Sequence, residues 1–185
     1  MPLQLITPPA IEPVTLDEAK AHLKVDTSDD DALIASLIAS ARARAEWHMG
    51  RALITQGWTL WLDCWPGVIE VPLPPLQAVT NITAYALNDA ATVLDPATWQ
   101  VDNSSAPARI ALKANASPPV NLRSLNAVAV AFTAGFGDGE SDVPAPVREA
   151  ILQMVAEAYA NRGDAPSAVP LSALALLAPY RIVKI

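Results

Sequence analysis

Five residues, Gly135-Phe136-Gly137-Asp138-Gly139, follow directly on the apolar run AVAVAFTA and are the strongest chemical signal in the chain. A glycine turn after a strand can present backbone amides to a phosphate, and on that ground a small nucleotide-binding enzyme is one reading. The spacing is G-x-G-x-G, however, and Glu140 and Asp142 place negative charge where phosphate would sit. Pro144 and Pro146 also delay the helix whose N-terminus should face the ligand, so an ordinary strand-to-helix connection is favoured. The acids of this loop, like Asp29 to Asp31, lack the alternating carboxylates, central glycine and distant bidentate glutamate of a calcium loop.

Other reactive side chains are scattered. His22 and His48 fall on separate predicted helices without cysteine or carboxylate at zinc-ligand spacing, and Cys64 has no base beside it. Ser104, Ser105 and Ser124 lack the glycine-flanked elbow of a hydrolase nucleophile. No catalytic residue, cofactor site or metal site is therefore assigned.

The elements that would carry these residues are legible as periodicity. Thr15 with Glu18 three residues on forms a capping box and starts a helix to about Lys24. Asp29 to Asp31 then precede Leu33, Ile34, Leu37, Ile38, Ala41, Ala45 and Met49 at helical spacing, with Gly50 as the stop. From Ile54 to Ala134 the period becomes strand-like in six runs, with Asn88-Asp89 as a hairpin turn. A third helix carries Val147, Ile151, Met154, Val155, Ala158 and Tyr159 on one stripe and ends at Arg162-Gly163. The predicted class is α+β: a helical body, made of an N-terminal helix pair and a long C-terminal helix, packed with a small antiparallel or mixed β-sheet. Residues 1–162 are expected to form one domain, followed over 163–185 by a flexible link and an extended C-terminal arm.

That arm, LSALALLAPYRIVKI from Leu171, is apolar and free of acid, and it is read as docking on another molecule. Leu174, Leu177, Tyr180, Arg181, Ile182, Val183, Lys184 and Ile185 are its candidate contact residues. Arg42, Arg44 and Glu46, beside the apolar stripe of the second helix, are candidates for ion pairs with a neighbouring copy. Side chains alternate along a strand, so Trp61 and Trp65 point away from Trp58 and are candidates for the same neighbour contact.

Composition narrows the function classes. The 185 residues are 52% hydrophobic, with seven Gly against 17 Pro, which implies a folded body with stiff connections. Of the net charge of −7, the first 31 residues account for −5, and no run of Lys or Arg supplies the basic patch of a tight nucleic-acid binder. A lone cysteine fits a reducing compartment. MPLQLITPPAI does not read as a signal peptide, and the longest uncharged run, Val71 to Asn88, is broken by three prolines, so no membrane contact is expected.

Taken in order, PVTLDEAKAHLKVDTSDDDALIASLIASARARAEWHMGRAL, IEVPLPPLQAVTNITAY, VAVAFTAGFG, VPAPVREAILQMVAEAYANRG and LLAPYR resemble the head-tail connector (adaptor, or head-completion) proteins of long-tailed phages and phage-like gene transfer agents. The resemblance implies a structural protein of a virion or phage-like particle, assembled in the bacterial cytoplasm. Its implied partners are the portal protein, neighbouring copies in a ring of about twelve, and a downstream connector (stopper) or the tail. It also implies DNA that passes through the channel without tight binding.

Overall fold

The computed structural model describes residues 2–162 and 169–182. Contacts divide the chain into two compact units: a sheet unit of residues 1–9 and 55–135, and a helical unit of residues 10–54 and 136–185. The α+β class holds, with all of the sheet unit except residues 1–9 lying between the second and third helices in sequence.

In the helical unit, α1 spans Leu16–Leu23, α2 Asp31–Met49, α3 Ala145–Ala160 and α4 Leu171–Leu177. The capping box forms as predicted: Glu18 N–H donates to Thr15 Oγ1 at 3.1 Å, and Thr15 N–H donates to Glu18 Oε2 at 3.0 Å. Gly50 closes α2 with φ +68°, a left-handed conformation that side chains with a Cβ adopt only under strain. Asp30 occupies the N-cap of α2 without capping it through its side chain; the carboxylate instead accepts from the Tyr159 hydroxyl and from Arg162 Nη1. The core of the unit gathers Ile34, Ile38 and Met49 of α2, Val147, Ile151 and Met154 of α3, and Ala173 and Leu177 of α4.

In the sheet unit, β1 (Leu3–Thr7), β2 (Gln56–Leu62), β4 (Leu76–Tyr85), β5 (Ala91–Val93) and β8 (Val128–Ala134) form a five-stranded sheet in the order β1-β2-β8-β4-β5. A three-stranded sheet has the order β3-β7-β6, from Val68–Val71, Ala108–Leu112 and Trp99–Asp102. Every pair of named strands is antiparallel. Across the larger sheet, Val130 faces Leu60 on one side and Ile82 on the other, and Val128 faces Leu62 and Ala84; all six are buried. The alternate row, Thr59, Ala131, Thr133, Asn81 and Thr83, is half-exposed, as period-two alternation requires.

Two expectations are corrected. The run over 171–182 is not an extended arm: it is α4, a 3₁₀ turn over Ala178–Tyr180 and two further residues, and α4 packs on α3. Leu177, expected to contact another molecule, is completely buried in the chain's own core. The expected boundary at residue 162 is not a boundary between units either, because α4 belongs to the helical unit. The expected flexible link, GDAPSAV over 163–169, lies outside the described residues except for Val169, as do Val183, Lys184 and Ile185. β1 was not foreseen.

Leu177→Ala should therefore destabilise the helical unit by about 2–5 kcal/mol through lost burial and a residual cavity. Leu171→Ser, at a side chain 84% exposed, should change stability by less than about 0.5 kcal/mol. Urea unfolding followed by circular dichroism measures both; equal effects would show α4 to be loosely held.

Candidate functional site

The glycine loop was the sequence's best prospect for ligand chemistry, and its geometry serves the chain itself. Gly139 N–H donates to Asp142 Oδ2 at 2.9 Å, within a 3₁₀ turn over Glu140–Asp142. A Cβ at Gly137 would sit 2.1 Å from the same Asp142 oxygen, so the glycine is there to admit that carboxylate. The anion a phosphate loop would recruit is already supplied by the protein. Just before the loop's second glycine, Phe136 N–H donates to Leu53 O at 2.8 Å and Gly137 forms a parallel bridge with Ile54.

The remaining candidates do not converge on a reactive centre. His22 is exposed on α1, His48 lies in the last turn of α2, and Cys64 is exposed after β2. Among the described residues no three of His, Cys, Asp or Glu are grouped to hold a metal ion. No helix among them is long and apolar enough to cross a membrane.

The residues proposed for assembly contacts fall into three situations. Arg42 and Glu46 were expected to face outward, and this is corrected: their side chains are only 15% and 14% exposed. Arg42 donates to Glu12 Oε2 and Glu46 Oε2, both at 2.7 Å, and Glu46 Oε1 accepts from Leu53 N–H at 2.9 Å. Burial of half-shielded charges is tolerable here because each is paired and hydrogen-bonded. Arg44 is exposed on the same helix. Trp61 is half-buried on the face of the larger sheet opposite Leu60, where its Nε1–H donates to Gln4 Oε1 at 3.2 Å and its ring lies 5.9 Å from Tyr85. The small Ala129 between β2 and β4 leaves room for that approach, and Arg123 stacks on the far side of the row, 4.2 Å from the Tyr85 centroid. Trp65 is half-buried in the turn that follows.

At the C-terminal end, Leu174, Tyr180 and Ile182 are half-buried and Arg181 is exposed. Tyr180 O accepts from Arg51 Nε at 2.5 Å, and Ile182 N–H donates to Met49 O at 2.8 Å. The segment is thus tied to the end of α2 by its backbone. Burial makes the Arg51 guanidinium easier to deprotonate than usual, though arginine stays charged at any ordinary pH.

Sequence reasoning missed the links that join these helices. Arg148 of α3 donates to Pro13 O at 3.0 Å through Nε and to the Glu18 carboxylate through Nη2. The Thr15 N–H holds the Glu18 carboxyl below its usual value of 4.5; burial opposes this, and Arg148 adds to it. The Tyr159 hydroxyl and then Arg162 depress Asp30 in the same way. In the sheet unit Asp102 is held well below the carboxylate range by the hydroxyls of Ser104 and Ser105 and by Arg109. The Glu18 and Asp102 clusters start and end turns or clamp elements, so their shifts report structural pairing.

Comparison with known proteins decides the class. The family described as phage gp6-like head-tail connector protein matches residues 13–106. The chain belongs to that family. No curated protein matches it. Among solved structures, a chain in the neck of an empty gene transfer agent particle, computed with C6 symmetry, is 27% identical with a TM-score of 0.85. That match covers 100% of this chain and 97% of the other. A chain of the native gene transfer agent virion is 26% identical with the same TM-score and the same coverage. One in the neck of the native particle, computed with C12 symmetry, is 27% identical with a TM-score of 0.81. The connector family accounts for a fold whose polar groups serve its own integrity.

Because Glu18 titrates below its usual value when folded, its contribution to stability is complete above about pH 4.5 and is lost as pH falls through the lower folded value. Glu18→Gln should lower stability at pH 7 and flatten the decline in stability below pH 4.5 relative to the parent. Urea midpoints measured from pH 7 to pH 3 test this, and parallel curves for the two proteins would show the pairing to be energetically idle.

Proposed function

We propose that this connector subunit forms a ring in the neck of a phage-like particle, below the portal, and joins the head to the tail while extending the DNA channel. The observation that carries the reading is the match over the whole chain to proteins of gene transfer agent necks, which extends the connector family match beyond residues 13–106. The necks computed with C6 and C12 symmetry support a ring of copies, of about twelve in this proposal. The alternative of a nucleotide enzyme is disfavoured by the Gly139 amide being taken by Asp142.

In this reading the portal contact uses the outward side of the C-terminal segment, Leu171 and Arg181, together with the half-buried Leu174, Tyr180 and Ile182. The opposite end of the ring meets a downstream connector or the tail. A charge of −7 suits a wall past which DNA slides, since a wall that neutralised several phosphates would bind the duplex with steep salt dependence.

Particles made without this chain should accumulate as DNA-filled heads and separate tails, and adding the purified chain should restore joined, DNA-delivering particles. Joined particles in its absence would overturn the connector reading. Fluorescence anisotropy with a labelled duplex should show only weak binding by the isolated chain at low salt; tight binding lost steeply with added salt would instead mark a DNA-binding protein.

A further inference from the structure

Among the described residues both edges of the five-stranded sheet are unpaired, and neither edge strand carries a charge: β1 pairs only with β2, and β5 only with β4. An open strand edge is a template for another chain, and proteins that must stay single blunt it with charge or proline within the strand or by keeping the strand very short, of which only the last applies here, to β5. Here β1 reads Leu-Gln-Leu-Ile-Thr and β5 reads Ala-Thr-Val, without a charged side chain in either. Leu5 is 43% exposed, Ile6 56% and Val93 61%.

A groove of about 540 Å³ lies beside β5: Ala84 and Ala86 and, in the wall, Val120 and Leu122 make part of its lining apolar, and Asp95 and Asn115 line it as well. The wall is fixed by hydrogen bonds to the hairpin: Leu87 N–H donates to Asn121 O at 3.0 Å, and Arg123 N–H to Tyr85 O at 3.1 Å. Val120 in that wall is 74% exposed.

We propose that β1 of one copy pairs with β5 of the next, so that the sheets run on from subunit to subunit around the ring; this rests on the connector reading above. The occupant is a second copy for three reasons. The alternating antiparallel order β1-β2-β8-β4-β5 makes β1 and β5 run in the same direction, so copies related by rotation about one axis can pair them in parallel, each copy giving one edge and receiving the other. The register places Leu5 opposite Trp58 and Thr92 opposite Ala84, on the same face of the sheet as the groove, so a continuing sheet brings Leu5 of the neighbouring copy to the groove; Ile6, at the irregularity between Leu5 and Thr7, comes next along the strand, beside Val93. Finally, copies that each carry −7 repel unless the surfaces they join are neutral. Residues 2–9 have no charged side chain, and between Leu87 and Asn126 three acids are balanced by three bases.

With only three residues in β5, each junction gains two or three main-chain hydrogen bonds plus the seated side chains, which is weak alone and accumulates when a ring closes. Two kinds of variant test it. Leu5→Lys and Val93→Lys, at exposed edge positions, should each keep the far-ultraviolet spectrum and melting temperature of the parent while lowering the number of copies per purified particle ~10-fold, as charges on an edge strand do. In a Cys64→Ser background, the pairs Ile6→Cys with Val93→Cys and Leu5→Cys with Thr92→Cys should give a ladder of covalent oligomers when particles are oxidised, and the single-cysteine proteins should not. If the parent chain is present in the neck, but no ladder forms with either pair and the lysine variants assemble normally, edge pairing is wrong while the connector reading stands. If the parent chain is absent from the neck, both fall.

Discussion

The hydrogen bond from Phe136 N–H to Leu53 O, at 2.8 Å, sits where the helical unit must remain whole despite an interruption of 81 residues. The chain leaves that unit after Ile54 and returns at Phe136, and the bridge between Ile54 and Gly137 keeps the exit and the return side by side. Directly beyond them the sheet unit starts its longest regular pairing, Gln56 with Ala134. Closing so long a loop costs only logarithmically more than closing a short one, so an insertion of this size is tolerable if its ends are held. What holds them reaches back into α2: Glu46 accepts from Leu53 N–H while it pairs with Arg42, which also holds Glu12. The glycine loop is part of the same closure, for Gly137 has no Cβ because Asp142 fills that space.

This accounts for what could be read from the sequence and what could not. The capping box at Thr15, the stop at Gly50 and the turn at Asn88-Asp89 were legible because each is local chemistry, decided within four residues. The apolar stripe of α2 was legible too, although Leu33 proves exposed, since the helix buries a narrower face through Ile34, Ile38, Ala41 and Ala45. β1 was missed because Leu3–Thr7 lies between Pro2 and Pro8 and becomes a strand only through a partner more than 50 residues away. The C-terminal segment was misread for a related reason. Its apolar, acid-free composition announced burial correctly, but composition does not say whether the surface that covers Leu177 belongs to the same chain. The i,i+4 spacing of Arg42 and Glu46 did carry a local signal for the pair they make.

The assembly surfaces were the least legible part, for a physical reason. Catalytic sites leave a trace in sequence because they need particular residue types at particular spacings. A connector needs edges, grooves and neutral patches, which many residues can supply and which arise only from topology. Nothing in LQLIT and ATV relates them until the sheet order puts them at opposite edges of one sheet. The family was recognisable from the order of packing segments over the whole length, while the residues that would carry its contacts were not.

The distribution of charge supports the same division of labour. Most of the acid surplus lies in the first 31 residues, and all but β1 and the prolines after it belong there to the helical unit. Several of those acids are committed to internal tasks: Glu12 to Arg42, Glu18 to Thr15 and Arg148, Asp30 to Tyr159 and Arg162, and Asp31 to Lys20 at 2.6 Å. Each such pair is worth little by itself where it is exposed, and together they fix helix starts that packing alone would leave free to fray. The sheet unit holds five acids and three bases, so its edges can approach another acidic copy at small electrostatic cost. A subunit that must stay soluble before assembly and join its own copies afterwards has reason to keep repulsion and adhesion on different parts of the chain.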